Sequence, residues 1–315
     1  MKNFWQKLHK PFFVLAPMED VTDTAFRQVI TKVGKPDVFF TEFLNVDGLF
    51  SKGKDRVAPR LKFSKIEHPI VAQIWGTDLD NFTKAAKLIN KMGFDGIDIN
   101  MGCPQKSVIK QKTCSALIND PKKAEEIFKA VKSGSGSLPV SIKTRIGFSE
   151  IITEEWLGFL LKLKPDALIV HGRTVKELSK VPTHWEEIGK VVKMRDEMGS
   201  KTLIVGNGDI ESYQDGLKRA QQYKVDGIMI GRGIFQNPWI FNPKVDILKI
   251  TPEQRKQLLL DHVKIFEKTW ANQKDFNIMK KFFKAYIRDY PGALEQRAKL
   301  MEAKNIKEIN ITSQF

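Results

Sequence analysis

Cysteine is nearly absent from this chain. Only Cys103 and Cys114 occur among 315 residues, and they do not form a CxxC pair. That excludes a disulfide framework and a structural zinc site, and it fits a reducing cytoplasm. No metal site is expected. Long apolar runs are missing too: none approaches the roughly 20 residues that a membrane span requires, so no membrane partner is expected. The N-terminal stretch MKNFWQKLHKPFFVLAPMED is basic and then apolar. Its apolar part, Phe12–Ala16, is too short for a signal-peptide core and reads as a first core strand. There is no internal repeat and no low-complexity segment. Acidic residues are in deficit, 37 Asp and Glu against 52 Lys and Arg, which leaves a net charge of +15. A surplus of that size points to a polyanionic partner, most often a nucleic acid.

What the chain has is rhythm. Eight short apolar runs recur: Phe13–Ala16, Val38–Thr41, Ile70–Ile74, Gly96–Asn100, Val140–Thr144, Ala167–Val170, Thr202–Val205 and Gly227–Ile230. They are rich in Val and Ile and lack clean alternation, as expected of strands buried on both faces. Amphipathic helices are expected between them at Asp23–Val33, Asp78–Met92, Asp120–Val131, Thr153–Leu163, Trp185–Met198 and Glu211–Tyr223. Several open on a capping Asp or Thr, and Asp120-Pro121 puts proline at the first helical position. No long helix can be placed in Asn45–Glu67, and Ser133–Ser137 (SGSGS) reads as a flexible turn. Eight βα units ending near residue 242 predict an α/β fold, a (β/α)₈ TIM barrel; a doubly wound sheet is the alternative. After Asn242-Pro243 the strand pattern stops. Helices are expected at Pro252–Trp270, Asp275–Tyr290 and Ala293–Ala303, forming a small C-terminal all-helical domain. The boundary is placed between a barrel domain, 1–245, and a helical domain, 246–315. From Thr251 onward thirteen basic residues face eight acidic ones, so the basic surface is shared by both parts.

Catalytic groups of a barrel gather at the C-terminal ends of its strands. Here those ends carry Ala16, Pro17 and Met18, then Glu42, Gln73, Asn100 with Cys103, Lys143 with Arg145, and His171 with Arg173. Asn207, Gly208 and Asp209 follow strand seven, and Gly231 and Arg232 follow strand eight. The stretch DGIDINMGCPQKSVIKQKTCSALIN, Asp95–Asn119, is the most telling. It opens as a buried strand with Asp98 between Ile97 and Ile99, then breaks so that Cys103 sits between Gly102 and Pro104. Lys106, Lys110 and Lys112 follow on one loop, which suggests a reactive cysteine near an anion; a half-buried structural cysteine is the alternative. The glycine turns VGNGD and IGRG fall after strands seven and eight, where barrels commonly bind a phosphate, and Arg232 offers a charge-assisted contact. A phosphate there with Lys143 in the mouth suggests a phosphorylated cofactor across the barrel. Gln73 and Lys143 suit the polar edge of a flavin, and His171 is a candidate donor.

Together these stretches resemble the tRNA-dihydrouridine synthase family: APMEDVTDTAFR (16–27), TEF (41–43), QIWG (73–76), DGIDINMGCP (95–104), SIKTRIG (141–147), VHGRT (170–174), GNGDI (206–210) and DGIMIGRG (226–233). The resemblance spans nearly the whole barrel. It implies an FMN-dependent oxidoreductase that reduces the C5=C6 bond of particular uridines in tRNA, with NADPH as reductant. It assigns FMN to Ala16, Pro17, Met18, Gln73, Lys143, His171, Asn207, Gly208, Asp209, Gly231 and Arg232. It makes Cys103 the acid that protonates C5 and turns Asn100 and Arg145 toward the uracil. A cytoplasmic monomer is expected, with tRNA as partner. Two stretches depart from the family pattern: Lys112–Leu117 replaces a glycine-led GGAAL-like run, and Val175–Trp185 lacks the usual Tyr and Gly. Both border the substrate side. Two rival readings are an FMN barrel enzyme acting on a small molecule, of the dihydroorotate dehydrogenase type, and an RNA-binding module with a vestigial flavin site.

Overall fold

The structure is a computed structural model that describes residues 3–306, 308 and 309. Among the described residues nine strand segments form one parallel sheet: β1 (Phe12–Leu15), β2 (Phe39–Phe40), β3 (Leu44–Asn45), β4 (Ile70–Trp75), β5 (Gly96–Met101), β6 (Val140–Arg145), β7 (Ala167–His171), β8 (Leu203–Asn207) and β9 (Gly227–Ile230). The order β1-β9-β8-β7-β6-β5-β4-β2 closes through a parallel bridge between Val14 and Val38. β2 and β3 are two halves of one stave, since Phe39 pairs with Ile70 and Leu44 with Ile74. Between them the Thr41 hydroxyl oxygen accepts the Gln73 backbone N–H at 3.1 Å, a side-chain bond at the break between the two halves. The expected eight-stave barrel is therefore present, with its second stave broken at residues 41–43.

The helices begin where capping residues satisfy their free N–H groups. Asp23 accepts from Phe26 N at 3.0 Å, Asp78 from Asn81 N and Asp120 from Lys123 N. Helix Pro121–Ser135 runs through most of the expected SGSGS turn. A Cβ on Gly134 would lie 2.3 Å from the Thr83 carbonyl oxygen, so glycine here lets this helix close on Leu79–Lys91. The chain turns just past the helix end, at Gly136, with φ +60°. The 45–67 stretch resolves into the short turns Val46–Leu49, Lys54–Val57, Ala58–Leu61 and Lys65–Glu67.

Helix Pro252–Trp270 opens with a capping box between Thr251 and Gln254 and packs on helix Thr24–Val33. Its Leu259, Val263 and Phe266 join Phe26, Val29 and Ile30 in one apolar core. The helix expected at Asp275–Tyr290 is different: a 3₁₀ segment, Phe276–Phe282, leads into one α-turn, Phe283–Tyr286. Phe276, Met279 and Phe282 recur every third residue, and side chains three apart eclipse in a 3₁₀ helix, so the tighter winding turns them to one side. Ala293–Glu302 follows as a regular helix. Among the described residues no helix is long and apolar enough to cross a membrane.

Candidate active site

The C-terminal ends of the strands open onto a cleft of about 770 Å³. Ten of the eleven residues assigned above to a cofactor line it: Ala16, Pro17, Met18, Lys143, His171, Asn207, Gly208, Asp209, Gly231 and Arg232. Arg145 joins them. Gln73, Asn100 and Cys103 are not among its lining residues; they lie on the β4–β5 side of the mouth.

The Lys143 ammonium donates to Asn207 Oδ1 at 3.0 Å, and Asn207 Nδ2 donates to the Met229 carbonyl at 2.9 Å. Burial, then the neighbouring Arg145 charge, pulls the Lys143 pKa down to about 8. It is still largely protonated at neutral pH. His171 is held neutral: burial and the cations Arg145, Lys143, Arg173 and Arg232 push its pKa well below the usual range. Its Nδ1 is buried without a partner among the described residues. Gly208 has φ +130°, and a Cβ there would lie 2.6 Å from Thr183 Oγ1, so the turn after β8 admits only glycine. The Asp209 carboxylate does not face the cleft's cations freely. It takes Thr183 N at 3.2 Å, Thr183 Oγ1 at 2.9 Å and the Arg173 guanidinium. Burial opposes its charge, yet those hydrogen bonds hold its pKa below the ordinary value. Asp209 thus orders Arg173 and the loop, while the more exposed Arg232 stands 3.5 Å from it at the rim.

A second polar chain leads to the cysteine. Ser141 Oγ donates to Asp98 Oδ1 at 2.6 Å, and Gln73 Nε2 donates to Asp98 Oδ2 at 2.8 Å. Asn100 Nδ2 donates to Gln73 Oε1 at 2.9 Å, and Asn100 Oδ1 accepts the N–H groups of Gly102 and Cys103, each at 3.0 Å. Ser115 Oγ donates to the Cys103 carbonyl at 2.6 Å. Arg145 bridges the two groups: it lines the cleft, and its Nε donates to the Gly102 carbonyl at 2.9 Å. Burial lowers the Arg145 pKa to about 10, which leaves it charged. Burial raises the Cys103 pKa, although the Gln105 backbone N–H works against it. Cys103 is therefore a protonated thiol at neutral pH. Lys106, Lys110 and Lys112 are exposed, and none of them is a cause of the shift at the sulfur. Cys114 is 1% exposed and packs with Cys103, Val108, Phe43 and Trp75 as a small apolar side chain.

Sequence reasoning did not single out Asp98, Ser141 or Thr183. Asp98 reads as one residue of a strand, and its pairing with Ser141 exists only through the register of β5 on β6.

Residues 14–315 match the family model described as dihydrouridine synthase (Dus). The chain is 45% identical to a probable tRNA-dihydrouridine synthase 2 of Bacillus subtilis (strain 168), over 98% of this chain and 94% of that protein. It is 44% identical to a probable tRNA-dihydrouridine synthase of Staphylococcus aureus (strain Mu50), over 98% of this chain and 93% of that one. Among solved structures, a variant of NCR from Zymomonas mobilis superposes with a TM-score of 0.51 at 17% identity, over 81% of this chain and 95% of that chain. DHODH from Eimeria tenella in complex with ferulenol gives 0.51 at 14% identity, over 70% and 76%. At those identities the two structures speak to the barrel fold alone. The near-complete family match and the two full-length relatives place the chain: it belongs to the dihydrouridine synthase family.

Proposed function

We propose that the protein reduces the C5=C6 bond of uridines in tRNA, with FMN in the barrel mouth, NADPH as reductant and Cys103 as the acid. The donor set fits a flavin phosphate. The cleft holds the Lys143 ammonium, an unpartnered His171 Nδ1, the Arg232 guanidinium and the glycine turns at Gly208 and Gly231. Ala16, Pro17 and Met18 line it, with Ala16 and Met18 beside Gly231. Gln73 keeps one amide hydrogen and one lone pair beyond those shared with Asp98 and Asn100, enough for one further contact. Bound there, FMN supplies the hydride that the uracil takes up at C6.

The residues of the chain do the rest. Cys103 holds a proton on Sγ and gives it to C5; a thiol kept protonated by burial is suited to that role. Arg145, which lines the cleft, and Asn100, which holds the Gly102–Cys103 turn, are assigned to the uracil. The 246–315 region and the basic loops carry tRNA, and the uridine leaves its stack to reach the mouth. The observation that carries the reading is the Cys103 thiol, held protonated in a turn anchored by Asn100 and tied through Arg145 to the cleft.

The experiment is rapid mixing of NADPH-reduced enzyme with unmodified tRNA, followed by flavin absorbance. Wild type should be reoxidised by tRNA. Cys103→Ala should bind FMN and be reduced normally but be reoxidised about 10²–10⁴-fold more slowly, the range for a lost general acid. Near-normal reoxidation in Cys103→Ala overturns the assignment. Reoxidation by a small pyrimidine and not by tRNA would favour the rival small-molecule reading.

A further inference from the structure

Asp98 takes no part in the chemistry proposed above, yet it sits fully buried in the barrel wall, at the head of the hydrogen bonds that end on Cys103. We propose that Asp98 is a positioning residue: as a hydrogen-bond acceptor it sets the direction of the Gln73 and Asn100 amides and so fixes the turn that carries Cys103. The inference rests on the reading in which Cys103 and Asn100 serve the uracil.

The two ends of a Gln or Asn amide have nearly the same shape, so only their partners decide which way round they sit. Strand register puts Gln73 opposite Asp98 and Asp98 opposite Ser141. The Asp98 carboxylate offers only acceptors, so it draws the NH₂ end of Gln73. That turns Gln73 Oε1 toward Asn100, where it accepts from Nδ2. Asn100 is then left with Oδ1 toward the turn, where two backbone N–H groups converge on it. Reverse the first amide and the others must follow: Asn100 would present NH₂ to two N–H donors. A buried donor left without its acceptor is unfavourable, and the turn loosens.

Asp98 also lies within electrostatic reach of Lys143, so its charge is a competing explanation. The substitution Asp98→Asn separates the two. The new side chain's oxygen still accepts from Gln73, and its NH₂ donates to Ser141 Oγ. The Ser141 hydroxyl then turns to the Ile97 carbonyl, already 3.4 Å away. Burial lifts the Asp98 pKa to about 7, and a protonated Asp98 can donate to Ser141 in the same manner, so the direction of the chain survives titration.

The test uses the full-length, FMN-loaded enzyme and two readouts: backbone amide exchange over residues 100–105, and single-turnover reoxidation by tRNA with its tRNA concentration dependence. Asp98→Asn should keep both within about threefold of wild type. Asp98→Leu should speed exchange at Gly102 and Cys103 by about tenfold or more and slow reoxidation to a similar degree, at unchanged half-saturation by tRNA. Gln73→Glu should loosen the turn as well, because two carboxylates then face each other. Adding Asp98→Asn to Gln73→Glu should restore protection. In that double variant the new amide donates to the new carboxylate, which still accepts from Asn100. Protection unchanged in Asp98→Leu, no recovery in the double variant, or Asp98→Asn as damaging as Asp98→Leu would each overturn the proposal. If Asp98→Leu does not fold, the Gln73→Glu pair decides. Amide exchange needs no tRNA. A wild type that fails to reduce tRNA would therefore sink the proposed function while this inference is still decided.

Discussion

The Arg27 guanidinium and the Glu67 carboxylate meet at 2.5 Å with both side chains fully buried. Arg27 also donates to the carbonyls of Thr22 and Lys62, and Glu67 accepts from Thr24 Oγ1 and Ser64 N. The pair pins the irregular 46–67 link to helix Thr24–Val33, the helix on which Pro252–Trp270 rests. Removing one partner strands a buried charge, so Arg27→Met should cost about 3–5 kcal/mol of stability in urea denaturation. Adding Glu67→Gln to that variant should restore part of the loss. A single-variant loss under about 1 kcal/mol would mean the pair does not hold the link.

Lys143 sets a pH limit on cofactor affinity. Burial, with help from Arg145, lowers its pKa to about 8, below that of a free lysine. The ammonium is present below that pH and lost above it. FMN affinity should therefore be flat from about pH 6.5 to 7.5 and fall as pH rises through about 8. Lys143→Arg, whose guanidinium stays charged, should flatten that limb whatever its absolute affinity. Fluorescence titrations across the range decide it, and a wild-type affinity unchanged up to about pH 9.5 would remove Lys143 from the site.

Cys114 holds a left-handed backbone, φ +52°, at a fully packed position. A side chain in that conformation costs about 1–2 kcal/mol relative to glycine. Cys114→Ala keeps the strain and loses the sulfur's packing, whereas Cys114→Gly loses the packing and sheds the strain. The glycine variant should be the more stable of the two by about 1 kcal/mol, the reverse of the usual order. Thermal melts of the two proteins check this, and an alanine variant as stable as glycine would contradict it.

Binding of tRNA should be strongly salt-dependent. Lys52, Lys54, Arg56 and Lys65 are exposed on one link, and Lys106, Lys110 and Lys112 on another. Each phosphate contact adds about −0.7 to −0.9 to the slope of log K against log salt. Replacing Lys52, Lys54 and Arg56 by Ser should reduce that slope by up to about 2–3, in filter-binding or anisotropy titrations. A wild-type slope near zero would remove nucleic acid from the account.

Much of the site could be read in the chain because a parallel barrel turns one-dimensional order into a shared mouth. Each strand is an apolar run, and the polar residue that ends it must emerge at the same rim as the others. That is why Lys143, His171, Asn207 and Arg232, far apart along the chain, meet in one cleft. Local chemistry was equally legible at the caps, where an Asp or Thr before a helix has few other uses.

What the sequence alone determined, then, was the run of strands and helices, the groups at the strand ends and the excess of positive charge. Tertiary structure decided the partners. Gly134 looked like a turn residue until the neighbouring helix claimed the space of its missing side chain. Asp209 stands at a strand end in the sequence, and only the folded loop gives its carboxylate Arg173 and Thr183 as partners. Asp98 was one polar residue in an apolar strand, and only the register of three neighbouring strands set it between Gln73 and Ser141. The physical reason is the same in each case. Local propensity and periodicity act over a few residues, whereas a buried polar atom must find its partner wherever closure of the barrel brings one within about 3 Å.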